Sequence, residues 1–127
     1  MSQKMYRNTR WLIGGFISLH GIYRIILISD YLDFVTANFT GMIPSETLLV
    51  VVSSLFPFIE FFVGILIIFK IIIKNAVKVG LVIFLIMTVF ILQANLWEQM
   101  ICHSFVIIGL ILLYEEVKEI RSSNTII

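Results

Sequence analysis

The sequence predicts an all-α integral membrane protein, one domain over residues 1–127 folded as a four-helix bundle with both termini cytoplasmic. Three observations carry this reading. Of the 127 residues, 60% are hydrophobic and 13% charged, and the mean hydropathy is +1.06, against roughly half apolar and a quarter charged in soluble domains. The apolar residues gather in four runs of near-spanning length, which leave too little polar surface to cover a soluble core. The basic residues sit on one set of connections and spare the other.

The first helix is expected over residues 11–29, from Trp11 to Ser29, interrupted only by His20 and Arg24. A bilayer core of about 30 Å takes about 20 helical residues, so this run spans with little adjustment. The second, residues 48–73, is long, and excess length is absorbed by tilt or a kink. Pro57 is the candidate kink, with a separate outer segment from Ser45 to Ser54 as the alternative. The third helix, residues 79–97, fits one span. The fourth, residues 101–120, has an apolar run that ends at Tyr114, and Val117 and Ile120 continue its stripe into the interface. Asp30 to Thr47 reads as a loop and Trp97 to Met100 as a short connection.

Orientation follows from charge. Lys4, Arg7 and Arg10 precede the first run, Lys70, Lys74 and Lys78 mark the second connection, and Lys118 and Arg121 follow the fourth run. The other two connections hold no Lys or Arg. Basic residues collect on the cytoplasmic side of short loops, so both termini are expected inside, in agreement with an even number of spans. These charges are explained by topology and anionic-lipid contacts rather than by nucleic acid. The interruptions at His20 and Arg24, with no small-residue cleavage site after the run, favour a retained first helix over a signal peptide. Asn38-Phe39-Thr40 spells a glycosylation acceptor, relevant only in a eukaryotic lumen.

Several chemistries are excluded or weakened. Cys102 is the single cysteine, so the chain cannot run a two-thiol relay by itself, and Cys102 reads as a small filler near a helix end. His20 and His103 lack a third ligand at metal spacing and any haem-attachment motif, so no metal is expected. No phosphate loop or nucleophile elbow is present. Gly14, Gly15, Gly64 and Gly80 are candidate points of close helix approach.

The ionisable residues inside the apolar runs are the candidate site, since an intramembrane charge normally faces the bundle interior and finds a partner. His20 and Arg24 are four residues apart and share a face. Glu60 lies on the next, antiparallel helix. If that helix enters at Ser53 or Ser54, Glu60 is about 10 Å below the outer boundary and Arg24 about 7–8 Å, which permits a direct pair. Entry at Thr47 places Glu60 about 10 Å deeper. Gln93 and His103, from the outer ends of the third and fourth helices, complete a polar cluster of Arg24, Glu60, His20, Gln93 and His103. Such a cluster either lines a ligand pocket between helices or serves as interhelical glue worth about 0.6–2 kcal/mol per hydrogen bond.

Gly21-Ile-Tyr-Arg24 at the end of the first helix, a loop without basic residues, Pro57-x-x-Glu60-x-x-x-Gly64 on the second helix and Lys78-Val-Gly80 leading into the third resemble the DoxX and MauE group of small four-helix membrane proteins. The similarity spans about Trp11 to Tyr114. The resemblance implies a membrane-embedded component associated with redox chemistry, either a subunit near the quinone pool or a factor assisting maturation of a secreted or periplasmic redox protein. It carries Arg24 and Glu60 over as the functional positions. Members that handle thiols carry paired cysteines, and this chain has Cys102 alone, so an accessory or quinone-facing role is the expectation. A quinone is then the expected cofactor class. The expected partners are the bilayer and other membrane or extracytoplasmic redox proteins, with self-association open and no enzyme activity from this chain alone. The expected location is a bacterial inner membrane. The alternatives are a small proton-coupled transporter and a purely structural scaffold.

Overall fold

The computed structural model describes residues 1–125, and five helices lie among them: α1 (Gln3–Ile26), α2 (Ile28–Phe39), α3 (Glu46–Ile68), α4 (Ile73–Gln93) and α5 (Trp97–Thr125). The protein is all-α. Helices α3, α4 and α5 are each long and apolar enough to cross a bilayer. Helix α1 is diluted by Arg10, His20 and Arg24, and it reaches that standard only together with α2, from which it is bent by 93°.

The additional helix is α2, in the stretch expected to be a loop. Its signal is periodic rather than hydropathic. Tyr31, Phe34, Val35 and Phe39 recur at the helical spacing of one apolar face, and Val35 and Phe39 are buried while Asp30 and Asp33 are exposed. Asp30, Asp33, Thr36 and Asn38 interrupt the stretch before any apolar run reaches spanning length, so a reading by apolar runs passes over it. The first helix consequently ends at Ile26, not Ser29.

The other ends also differ from expectation, and backbone capping explains the differences. Helix α3 starts at Glu46, where the Ser45 hydroxyl accepts from the Leu48 N–H at 3.3 Å, and it runs unbroken through Pro57. It stops at Ile68 instead of Ile73. Lys70 takes φ +60°, Ile71 N–H bonds to Leu66 O at 3.0 Å and Lys70 N–H to Ile67 O at 3.2 Å. This is a Schellman cap with lysine where glycine is usual. Ile72 also has positive φ, +40°, uncommon for a β-branched residue. Helix α4 therefore starts at Ile73 and ends at Gln93, where Asn95 at φ +56° closes a second cap of the same pattern, Leu96 N–H to Ile91 O at 3.1 Å. Helix α5 begins at Trp97, one turn before the expected Ile101.

Helices α1 and α3 are in close contact. Gly14, Ser18 and Gly21 present small groups on one face of α1, and Gly64 faces them from α3. A Cβ on Gly21 would stand 2.6 Å from Phe61 N and 2.7 Å from Pro57 O, and one on Gly64 would collide with Ser18 Oγ. Small residues permit this backbone approach, and Ser18 Oγ donates across it to Phe61 O at 3.4 Å.

Two apolar clusters result. The larger joins Ile13 and Ile17 of α1, Val63 and Ile67 of α3, Phe84 of α4 and Leu110 of α5. The smaller lies under α2 and joins Val35, Phe39, Leu49 and Ile91. Along α3, Glu60 falls between them. Large apolar side chains such as Leu19, Ile26 and Ile101 cover the outer surface, as lipid contact requires.

Candidate functional site

Glu60 is 1% exposed, and its side chain has none of its surface accessible. Arg24 Nη1 donates to Glu60 Oε1 at 2.9 Å, and His20 Nδ1 lies 3.2 Å from Glu60 Oε2. Both Glu60 oxygens are thus answered from α1, one turn apart on the face that Gly21 presses against α3.

The pair forms by a different geometry from the one expected. Glu60 is 14 residues beyond Glu46, about 21 Å along α3, whereas Arg24 is two residues from the end of α1, about 3 Å. They meet because α1 stops short and α2 turns away across the bundle, while α3 continues past the bend. The early start of α3 therefore does not prevent direct contact.

His103 joins this group from α5. It is 3% exposed, its ring stands edge-on to His20 with centroids 6.4 Å apart, and Phe84 packs against it at 5.1 Å. His103 Nδ1 is buried without a hydrogen-bond partner. Phe16 stacks on the other ring, His20, at 6.0 Å and 10°. Gln93 does not join the cluster. As the last residue of α4 it is exposed, since it lies about 200° around the helix from buried Ile91 and so on the opposite face. Gln99 of α5 lines the neighbouring cavity instead. Cys102 is exposed and is no core filler.

That cavity has a volume of about 250 Å³ and lies beneath α2, walled by α3 and α4. Its lining is apolar, with Phe34, Phe39, Leu49 and Ile91 among the residues, and its polar groups are Arg24, Tyr31, Ser53 and Gln99. Arg24 therefore has two roles: it bonds Glu60 and it faces the cavity. The guanidinium also lies 4.8 Å from the Tyr31 ring centroid, within cation–π range. Sequence reasoning missed Tyr31 because it was assigned to a loop, and the helical spacing of Tyr31, Phe34 and Val35 was the signal available.

Among the described residues, no group of three or more His, Cys, Asp or Glu side chains is arranged to hold a metal ion. Chemically, the arrangement offers a guanidinium, two imidazole rings and a buried carboxyl group beside an apolar chamber. Comparison with protein-family models, curated proteins and solved structures finds no match to this chain.

Proposed function

We propose that this chain is a small membrane-embedded accessory component of a redox or quinone-linked system, and that its Arg24–Glu60–His20 cluster holds the head group of a quinone-like ligand. The observation that carries the reading is the position of Arg24, bonded to a fully buried carboxylate and exposed to an apolar cavity of about 250 Å³. A guanidinium has five N–H donors, so those not engaged with Glu60 are suited to a ligand carbonyl. The volume is just below the roughly 300–1,000 Å³ of drug-sized sites. It suits one substituted ring, with any hydrocarbon tail leaving between helices. The redox assignment itself rests on the resemblance of the Gly21–Arg24 and Pro57–Gly64 motifs to the DoxX and MauE group.

In this reading α1 and α2 together act as one broken span, giving four crossings with both termini cytoplasmic in a bacterial inner membrane. The chain works through partners, membrane or extracytoplasmic redox proteins, rather than as an enzyme alone. The rival reading, a proton-coupled transporter, draws on the buried Glu60. Both of its oxygens are engaged by side chains of α1 and the side chain has no accessible surface, so no open path leads a transported ion to it.

The test is titration of the purified chain in nanodiscs with a short-tailed ubiquinone analogue. Saturable binding that weakens at least tenfold, about 1.4 kcal/mol, in Arg24→Leu and Glu60→Gln supports the proposal. Unchanged binding in folded variants would leave the cluster as structural glue.

A further inference from the structure

The cavity beneath α2 is closed at its end and open at one side. Its roof is the apolar face of α2, where Val35 and Phe39 are buried over Leu49 of α3 and Ile91 of α4. Asp30 and Asp33 are exposed on the other face of that helix. Among the described residues that line the cavity, Val52 of α3 and Ile86 of α4 alone are exposed, by 36% and 42%, and the rest are buried or half-buried.

These two residues mark the mouth. Val52 stands about 9 Å along α3 from Glu46, and Ile86 about 10 Å along α4 from Gln93, so they lie at similar depth on consecutive helices. Phe56 and Phe90, each one turn along its helix, also line the cavity and are half-buried. The open side is therefore a gap between α3 and α4, edged by two aliphatic and two aromatic side chains. Both helices are long and apolar enough to cross a bilayer, and a position about 10 Å inside a core of about 30 Å faces hydrocarbon rather than water. A polar solute reaching this mouth would first have to enter hydrocarbon with its polar groups unpaired, which is unfavourable. A molecule already dissolved in the bilayer meets no such barrier, and its tail can stay among acyl chains, which are as apolar as leucine.

We infer that the cavity is filled sideways from the bilayer, through the gap between α3 and α4 at Val52 and Ile86, and that its ligand is a membrane-dissolved molecule with an apolar tail rather than a solute of the aqueous phase. The inference rests on the reading of this cavity as a ligand site, and it holds whether or not the head group is a quinone. Val52 and Ile86 act on admission of the ligand, whereas Arg24 acts on its head group.

The experiment is photolabelling of the full chain in nanodiscs with a dodecyl chain that carries a diazirine at its end and no ring, mapped by peptide mass spectrometry. Label should reach Ser53 and Met87, which are buried and line the cavity, as well as Leu19 on the lipid-facing surface. It should miss Ile17, buried in the larger cluster. Val52→Trp combined with Ile86→Trp fills the gap from both sides and should lower label at Ser53 and Met87 about tenfold, the scale of adding bulk to a packed space. Label at Leu19 should stay the same, which also shows that the variant is folded, and Val52→Phe should have a smaller effect in the same direction. In a Cys102→Ser background, Ser53→Cys should resist an impermeant maleimide added to the nanodiscs. Absence of label at both cavity residues, equal label in the tryptophan variant, or modification of the Ser53→Cys variant from water would overturn the inference. Failure of the ubiquinone analogue to bind bears only on the head-group reading, because this probe carries no ring.

Discussion

At the scale of single residues, Glu60 sets the energetics of the site. Removing one partner of a buried pair costs about 3–5 kcal/mol, because the other charge is left uncompensated, whereas replacing both with apolar groups is often neutral. Arg24 keeps 14% of its side-chain surface exposed, so the lower end of that range applies. Glu60→Leu and Arg24→Leu should each destabilise the chain by about 3 kcal/mol, and the double variant should recover most of that loss. Thermal unfolding in detergent measures both. Additive losses in the double variant would mean that the two side chains do not act on each other. The pair could be proposed from sequence because an acid and a guanidinium in apolar runs have few ways to be tolerated. His20 Nδ1 against the second carboxylate oxygen could not be derived in the same way, since that contact depends on the rotation of α1 against α3.

Between elements, the contact of α1 with α3 is what brings those side chains together, and its glycines are unequal. Gly21 has backbone atoms at 2.6–2.7 Å from where a Cβ would stand, while Gly15 has nothing within 4 Å. Gly21→Ala should therefore force the helices apart and cost about 1–3 kcal/mol, as overpacking does. Gly15→Ala should be neutral or stabilising by up to about 1 kcal/mol through helix propensity. Paired melting curves of the two variants check this, and equal effects would contradict the packing described. Composition marks Gly14, Gly15, Gly64 and Gly80 as equivalent candidates. Only the facing backbone distinguishes them, and it adds Gly21. Likewise α2 was written in the spacing of Tyr31, Phe34, Val35 and Phe39, but Asp30, Asp33, Thr36 and Asn38 interrupt it before an apolar run of spanning length forms.

For the molecule as a whole, the polar features lie at opposite ends: the Glu60 cluster where α1 breaks into α2, and a cleft lined by Lys4, Arg7, Arg10 and Lys70 near the termini. The proposed topology places the second end in the cytoplasm. In a Cys102→Ser background, Ser2→Cys should resist an impermeant maleimide applied to intact cells, and Thr40→Cys, between α2 and α3, should react. The reverse pattern would invert the orientation. Between these ends, the larger apolar cluster is shared by α1, α3, α4 and α5, whereas the smaller one depends on α2 resting over α3 and α4. Val35→Asp should accordingly unseat α2 and empty the smaller cluster while the rest of the bundle persists, seen as local loss of hydrogen-exchange protection over residues 28–39.

Sequence alone determined the all-α class, the apolar helices and the candidacy of Arg24, Glu60, His20 and His103, because hydrophobicity and the cost of an unpaired charge act locally on residue type. Tertiary structure decided where the helices stop, that α2 folds across the bundle, that Gln93 is left outside, and that Arg24 faces a cavity. Those outcomes depend on caps such as Lys70 and Asn95 and on the approach of two backbones at Gly21 and Gly64. The caps are local turns that lack the glycine by which a sequence usually marks them, while the remaining outcomes are set by the fit between elements distant in the chain.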